Sequence, residues 1–160
     1  MNAAGIRLLS VGSLLFATSF APARSVENVG GCTPGTYLAV EGSGTRSIWT
    51  FSSDGTFQAT SSAERLFTFS HIQGAWQREG GRGARAVGLD FGFASQQAGA
   101  GVPPQWTTRI DAALEFSRDC QQVTGTFDLR FYDVPDDPLA ALTTAPNGSD
   151  TLIGRRLQVP

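Results

Sequence analysis

The segment from Trp106 to Phe116 alternates apolar and polar side chains over most of its length. Side chains two residues apart share one face of a β-strand, so this period predicts a strand with one buried face. Residues 123–132 repeat the alternation after a short polar stretch. The two segments predict an antiparallel hairpin. Its buried face carries Trp106, Ile110, Ala112, Leu114 and Phe116 on the first strand, and Val123, Phe127, Leu129 and Phe131 on the second.

The charged residues on the outer face of this hairpin distinguish two registers. One register pairs Phe116 with Val123. It sets Arg109 opposite Arg130, so that two like charges face each other. Sliding the strands by two residues sets Asp111 opposite Arg130 instead. Because like charges directly opposite each other destabilise a sheet, we predict the shifted register.

Short runs rich in Thr, Phe, Val, Ile and Trp, separated by glycine, predict further strands along the chain. With the hairpin, eight strands are predicted, at 36–41, 45–52, 56–62, 72–78, 84–94, 106–118, 123–132 and 151–159. The apolar positions place Leu89, Phe91 and Phe93 on the inner face of the fifth strand. They place Ile153, Leu157 and Val159 on the inner face of the eighth strand.

The predicted connections differ in length between the two ends of such a meander. Those at one end are short, near 53–55, 79–83 and 119–122, and those at the other are mostly long, at 63–71, 95–105 and 133–150. Many strands with one apolar face must stack as two sheets or close, and closure removes the unpaired edges. The sequence predicts an all-β fold, an eight-stranded antiparallel up-and-down barrel with a sealed base and an open mouth.

The first residues have the pattern of an export signal. Arg7 supplies a positive charge, residues 8–20 are apolar or small, and Ala21-Pro22-Ala23 fits a cleavage site. We therefore predict a secretory signal peptide at 1–23 and a single domain at 24–160, in a secreted or periplasmic protein. The rest of the chain has no apolar run near the roughly 18 residues of a membrane helix, so no membrane span is predicted.

The chain contains two cysteines, Cys32 and Cys120. In an oxidising compartment this pair predicts one disulfide, which would join the start of the barrel to a turn at its base. A metal site would need more ligands than two cysteines and the single His71, so no metal is predicted. Residues 29–32 also resemble a lipobox, which would make Cys32 a lipidated terminus. Two charged residues separate that box from the apolar stretch, which favours the disulfide.

The strand lengths and turns of residues 32–159 resemble those of calycin-type barrels, the group that includes the lipocalins, and of allene oxide cyclase and dirigent barrels. Gly35-Thr36-Tyr37 is similar to the Gly-x-Trp that opens many lipocalins, with Tyr37 at the usual tryptophan position. The resemblance implies a barrel with a small-molecule cavity that binds, isomerises or cyclises apolar compounds. It implies no catalytic residue at any position here.

Charge excludes some classes of partner. The 12 basic and 14 acidic residues are spread along the chain, so no patch predicts binding of nucleic acid or of an anionic membrane. We expect a small apolar molecule as the partner, bound at the mouth without a cofactor. The inward positions nearest the long loops are the candidate ligand-binding residues, namely Phe91, Phe93, Trp106, Thr108, Ile110 and Phe131. Aromatic side chains could also fill an eight-stranded barrel, so a packed interior stays open.

Three ionisable residues are candidates for chemistry. By parity, Glu41 and Arg155 point inward on the first and last strands. There they would form an ion pair across the barrel seam or assist a cyclase, whereas a shifted register would expose both. His71 lies in an upper loop, either as a general base at the mouth or as an exposed side chain. Three functions stay open: a ligand-binding barrel, a cofactor-free isomerase or cyclase in the same cavity, and a packed barrel that acts as a protein-interaction module.

Overall fold

The computed structural model describes residues 34–94, 103–143 and 145–159, which form a closed barrel of eight antiparallel strands. Each strand pairs with its neighbours along the chain, and the last strand pairs with the first. The predicted fold class, strand number and strand order are confirmed. The strands are β1 (Thr36–Glu41), β2 (Arg46–Phe51), β3 (Thr56–Ser61), β4 (Ile72–Glu79), β5 (Gly83–Gly92), β6 (Trp106–Phe116), β7 (Gln122–Asp133) and β8 (Gly148–Arg156).

One short helix, α1 (Glu64–Phe67), lies in the connection between β3 and β4. Within the described ranges, no helix is long and apolar enough to cross a membrane. The predicted signal peptide 1–23 and Cys32 lie outside the described residues.

The two ends of the barrel differ as predicted. At the base, short turns join β2 to β3, β4 to β5 and β6 to β7. At the upper end a tight turn joins β1 to β2, whereas the other three connections are long. We call this end the mouth. β8 begins three residues earlier than predicted, because Asn147 continues the pairing: its amide donates to the Leu129 carbonyl (2.8 Å), and its side-chain oxygen accepts from the Phe131 amide (2.8 Å).

Aromatic side chains fill the lower and central parts of the barrel. Phe51 lies at the centre of the cluster, with neighbouring ring centroids 5.4–6.4 Å away. Strand β5 makes room for these rings by presenting Ala84, Ala86 and Gly88 to the interior. A Cβ at Gly88 would lie 2.4 Å from Ile72 and 3.1 Å from Phe57. The cluster comprises Tyr37, Trp49, Phe51, Phe57, Trp76, Phe116 and Phe127.

The predicted register of the β6–β7 hairpin is wrong. The structure pairs Phe116 with Val123, so that Arg109 lies directly opposite Arg130. The two guanidinium groups do not face each other uncompensated, because Asp111 binds both. Its carboxylate oxygens lie 2.8 Å from Arg109 Nη2 and 2.9 Å from Arg130 Nη1. The prediction considered only residues directly opposite, whereas the diagonal carboxylate neutralises the pair.

The predicted inner faces of β5 and β8 are also wrong. Phe91 is 48% exposed and Ile153 is 63% exposed, and each alternates with buried residues on its strand. Leu89 likewise lies on the outer face of β5. Beyond the end of β8, Leu157 and Val159 are exposed. Apolar character alone assigned the larger side chains to the interior. The aromatic cluster already fills that space, so β5 turns its small residues inward, and β8 turns Leu152 and Gly154 inward in place of Ile153.

Candidate functional site

The inner surface of the barrel changes from aromatic to polar near the mouth. On five strands, the inward-facing positions nearest the mouth carry side chains with oxygen atoms. We call this set the upper polar layer. It consists of Glu41, Ser47, Asp90, Thr108 and Asp150. This layer lies above the packed aromatic core, between it and the mouth.

Asp90 is the most deeply buried acid of this layer. Its residue is 4% exposed, and Thr108 lies directly opposite on β6 and is equally buried. Oδ1 of Asp90 has no hydrogen-bond partner among the described residues. The pKa of Asp90 is raised from its ordinary value of 3.8 to about 6, mainly by burial and also by the negative charge of Glu64, against the lowering effect of hydrogen bonding with Thr108. Asp90 therefore changes charge close to neutral pH.

An aromatic rim adjoins Asp90 and Thr108. Trp106 pairs with Gly92, and a Cβ at Gly92 would lie 1.8 Å from the indole ring. The ring therefore packs against the backbone of β5 at Gly92, where only glycine leaves space for it. Phe131 pairs with Thr108 on the other side of β6 and keeps 54% of its surface exposed. The mouth thus presents aromatic surface next to a buried carboxyl group.

We expect Gly92→Ala to destabilise the barrel by about 1–3 kcal/mol, because the new methyl group must displace the Trp106 ring. Urea denaturation measures the change. Gly148→Ala is the matched control, since a Cβ there meets nothing within 4 Å, and we expect its effect to stay within about 0.5 kcal/mol. Equal losses in the two variants would contradict the described position of the indole.

Glu41 points into the mouth as predicted, but its predicted partner does not. The pKa of Glu41 is raised, mainly by burial. A hydrogen bond with Ser47 opposes this change, and the nearby negative charge of Asp150 adds to it. Arg155 lies on the outer face near the base, where it pairs with Leu38, whereas Glu41 pairs with Leu152. The predicted ion pair across the seam is therefore wrong. The error follows from the inverted parity of β8.

The arginine on the inner face of β8 is Arg156, at the base. Its Nη2 donates to the Pro34 carbonyl (3.0 Å), and its amide donates to the Gln121 carbonyl (2.9 Å). This contact ties the start of β1 to the turn that contains Cys120. Arg156 is therefore a base residue with no place in the mouth.

His71 lies at the rim with an exposed ring. Its Nδ1 is 3.2 Å from Oε1 of Glu64, and the same oxygen accepts the Ser61 amide (2.8 Å). The Glu64 side chain is mostly buried between these groups. His71 thus helps to hold Glu64, which in turn acts on Asp90 through its negative charge.

Four of the six residues predicted to bind a ligand lie on the inner face of β6 or β7: Trp106, Thr108, Ile110 and Phe131. Phe91 lies on the outer face, contrary to the prediction, and Phe93 is half-buried just beyond the end of β5. Asp90 was missed because the odd positions of β5 are the more apolar ones. The row of small residues at the even positions of β5 could have indicated the inner face. Small residues face inward where large side chains from other strands fill the interior.

In the described part of the chain, no three His, Cys, Asp or Glu side chains gather in an arrangement that could hold a metal ion. A separate groove of about 380 Å³ lies at the base of the barrel, with Leu38, Gln121 and Arg156 in its lining.

Comparisons of this chain with protein-family models, with curated proteins and with solved structures found no match.

Proposed function

We propose that this protein is a small-molecule-binding barrel whose ligand enters the mouth and contacts Asp90 and Thr108 at the floor of the site. The observation that carries the proposal is the buried Asp90 Oδ1, which has no hydrogen-bond partner in the described ranges. Leaving such an acceptor unpaired costs about 1–3 kcal/mol. A ligand that donates a hydrogen bond to Oδ1 recovers this cost.

The aromatic rim supports the same proposal. Trp106 and Phe131 offer apolar surface beside the carboxyl group, and small-molecule sites combine mostly apolar walls with a few placed polar groups. The eight-stranded up-and-down order is compatible with a calycin-type barrel, and this type of barrel has a ligand at its mouth as a common use.

Nile red, a neutral apolar fluorophore, tests the proposal. We expect its fluorescence to rise on binding, and Phe131→Ala to weaken its affinity about tenfold. Phe91→Ala is the matched control, because Phe91 is a similarly exposed phenylalanine near the same end of the barrel but on its outer face. The absence of saturable binding, or an equal loss in both variants, would contradict the proposal and favour a protein-interaction module.

A cofactor-free isomerase or cyclase is a second candidate function. A carboxyl group with a pKa of about 6 can both accept and donate a proton near neutral pH, which suits general acid–base catalysis. Turnover of a bound compound that is lost in Asp90→Asn, while binding and folding persist, would support this function. Turnover that survives the substitution would exclude Asp90 as its acid or base.

Export and a disulfide between Cys32 and Cys120 complete the proposal. The contacts of Arg156 hold Pro34, two residues after Cys32, close to Gln121, which follows Cys120. The Tyr37 hydroxyl also donates to the Cys120 carbonyl (3.4 Å). We expect intact mass before and after reduction to differ by two hydrogens, in a mature chain that starts near Arg24. An acylated Cys32, or two thiols that react without reduction, would contradict the disulfide.

A further inference from the structure

We propose that the ligand of the mouth is a small organic cation, a protonated amine on an apolar body, whose ammonium group donates a hydrogen bond to Asp90. This inference rests on the proposed binding function and adds the chemical class of the ligand. Three observations carry it: the distribution of charge between the two ends of the barrel, the surroundings of Asp90, and the aromatic rim.

Charge is divided unequally between the two ends of the described barrel. The mouth carries seven acidic residues against two arginines, Arg46 and Arg65. Two more arginines, Arg109 and Arg130, lie on the outer face at nearly the depth of Asp90, where Asp111 binds both of them. The base carries six arginines against four acidic residues. A negative mouth attracts cations and repels anions. The acidic residues of the mouth are Glu41, Glu64, Asp90, Asp133, Asp136, Asp137 and Asp150.

The charges around Asp90 favour a cation more specifically. On β6, the uncharged Thr108 lies opposite Asp90, and on β4 the neighbouring inner position is the apolar Ile72. Glu64 of α1 contributes a negative charge, and its contact with His71 lies out at the exposed rim. Glu41 and Asp150 carry further negative charge within the upper polar layer. An ammonium group would offset this charge and would supply the missing donor to Oδ1.

The aromatic rim suits the same ligand. Trp106 and Phe131 flank the position of Asp90 and Thr108 through their pairing on β5, β6 and β7. The face of an aromatic ring attracts a cation within about 6 Å of its centroid, and its area contacts an apolar body. A neutral alcohol could also donate to Asp90, but it gains neither the charge-assisted hydrogen bond nor the cation–π attraction.

Isothermal titration with matched compounds tests this inference. Phenethylamine, phenylethanol and phenylpropionate share one aromatic body and differ in the charge of the head group. Near pH 7 we expect phenethylamine to bind the purified protein at least about tenfold more tightly than phenylethanol. We expect no measurable binding of phenylpropionate.

The variant Asp90→Asn removes the negative charge but keeps the shape of the side chain. We expect it to weaken the affinity for phenethylamine at least about tenfold and to change the affinity for phenylethanol by less than about threefold. Glu79→Gln is the control. It removes the same charge from an exposed residue at the base, and we expect it to change neither affinity.

Protonation of Asp90 adds an independent readout. Since the carboxyl group has a pKa of about 6, we expect phenethylamine affinity to be constant above this pH and to fall about tenfold for each pH unit below it. This slope should vanish in Asp90→Asn. A structural role of Asp90 alone would not produce it.

Two results would overturn the inference while leaving the binding function intact. One is equal affinity for phenethylamine and phenylethanol, and the other is unchanged phenethylamine binding in a folded Asp90→Asn variant. In either case Nile red still binds and is still sensitive to Phe131→Ala. Failure of Nile red and of all three matched compounds to bind would overturn both the proposed function and the inference.

Discussion

Asp90→Asn is expected to raise the free energy of unfolding by about 3 kcal/mol near pH 7, an unusual direction for a change in a barrel interior. The folded protein holds the proton of Asp90 up to a pKa of about 6, whereas the ordinary value is 3.8. Each pKa unit corresponds to about 1.4 kcal/mol. The neutral amide avoids the cost of ionising a buried carboxyl group.

The stability gained in Asp90→Asn should depend on pH. Between pH 3.8 and about 6, the folded state keeps a proton that the unfolded state has lost, so stability falls as pH rises through this window. The difference between Asp90→Asn and the wild type should therefore be small below the window and reach its full size above it. Urea denaturation across this pH range measures the difference.

Asp54→Asn provides a control of opposite sign. Hydrogen bonds from Thr56 lower the pKa of Asp54, so its ionised form stabilises the folded state above the ordinary pKa. This variant should lose stability near neutral pH and lose none in acid. Two results would contradict a buried Asp90 with a raised pKa. One is an Asp90→Asn variant that is less stable than the wild type near pH 7. The other is a gain in the free energy of unfolding that is as large in acid as at pH 7.

Asp111→Ala is expected to destabilise the protein by about 3 kcal/mol. Its carboxylate binds Arg109 and Arg130, which lie directly opposite each other with little exposure. Removing the shared partner of two such charges costs about 3–5 kcal/mol when the group is buried. We expect the lower end of that range because the Asp111 side chain keeps 22% of its surface exposed. Urea denaturation at pH 7 measures the loss.

Asp128→Ala is the matched control for this cluster. Its oxygen lies 3.7 Å from Arg130 Nη2, and its side chain is 40% exposed. We expect a loss below about 1 kcal/mol, as for a surface ion pair.

Amide exchange gives a second readout of Asp111→Ala. Since Arg109 Nη1 also donates to the Pro138 carbonyl (3.0 Å), this variant should loosen the connection between β7 and β8 and increase its amide exchange. Similar losses in both variants would contradict the bridging role of Asp111.

The barrel could be predicted from the sequence because most of its strands have faces of clearly different polarity. In β6, Ile110 and Phe116 alternate with Arg109 and Glu115, and the structure buries the apolar set. In β5, Phe91 and Leu89 are more apolar than Ala86 and Gly88, yet the smaller residues face inward. The apolar pattern of one strand shows which side chains prefer to leave water. It does not show how much volume the side chains of the other strands leave inside the barrel.

The candidate site was predictable in part for the same reason. Trp106, Thr108 and Phe131 follow the parity of well-patterned strands, and Glu41 follows that of β1. Asp90 required the inner face of β5, which the apolar pattern assigns to the opposite side. Departures from the pattern are expected where function imposes a residue that folding alone would not select. The energetic cost of Asp90 near neutral pH fits a stability–function trade-off at the proposed binding site.

Chemical-shift mapping of the backbone amides during titration with phenethylamine tests the central claim most directly, because it locates the bound compound. We predict saturable shifts at Asp90, Thr108 and Trp106, and no change around Gln121 and Arg156 in the groove at the base. Shifts that concentrate in that groove, or an absence of saturable shifts at the mouth, would contradict a ligand site built on Asp90.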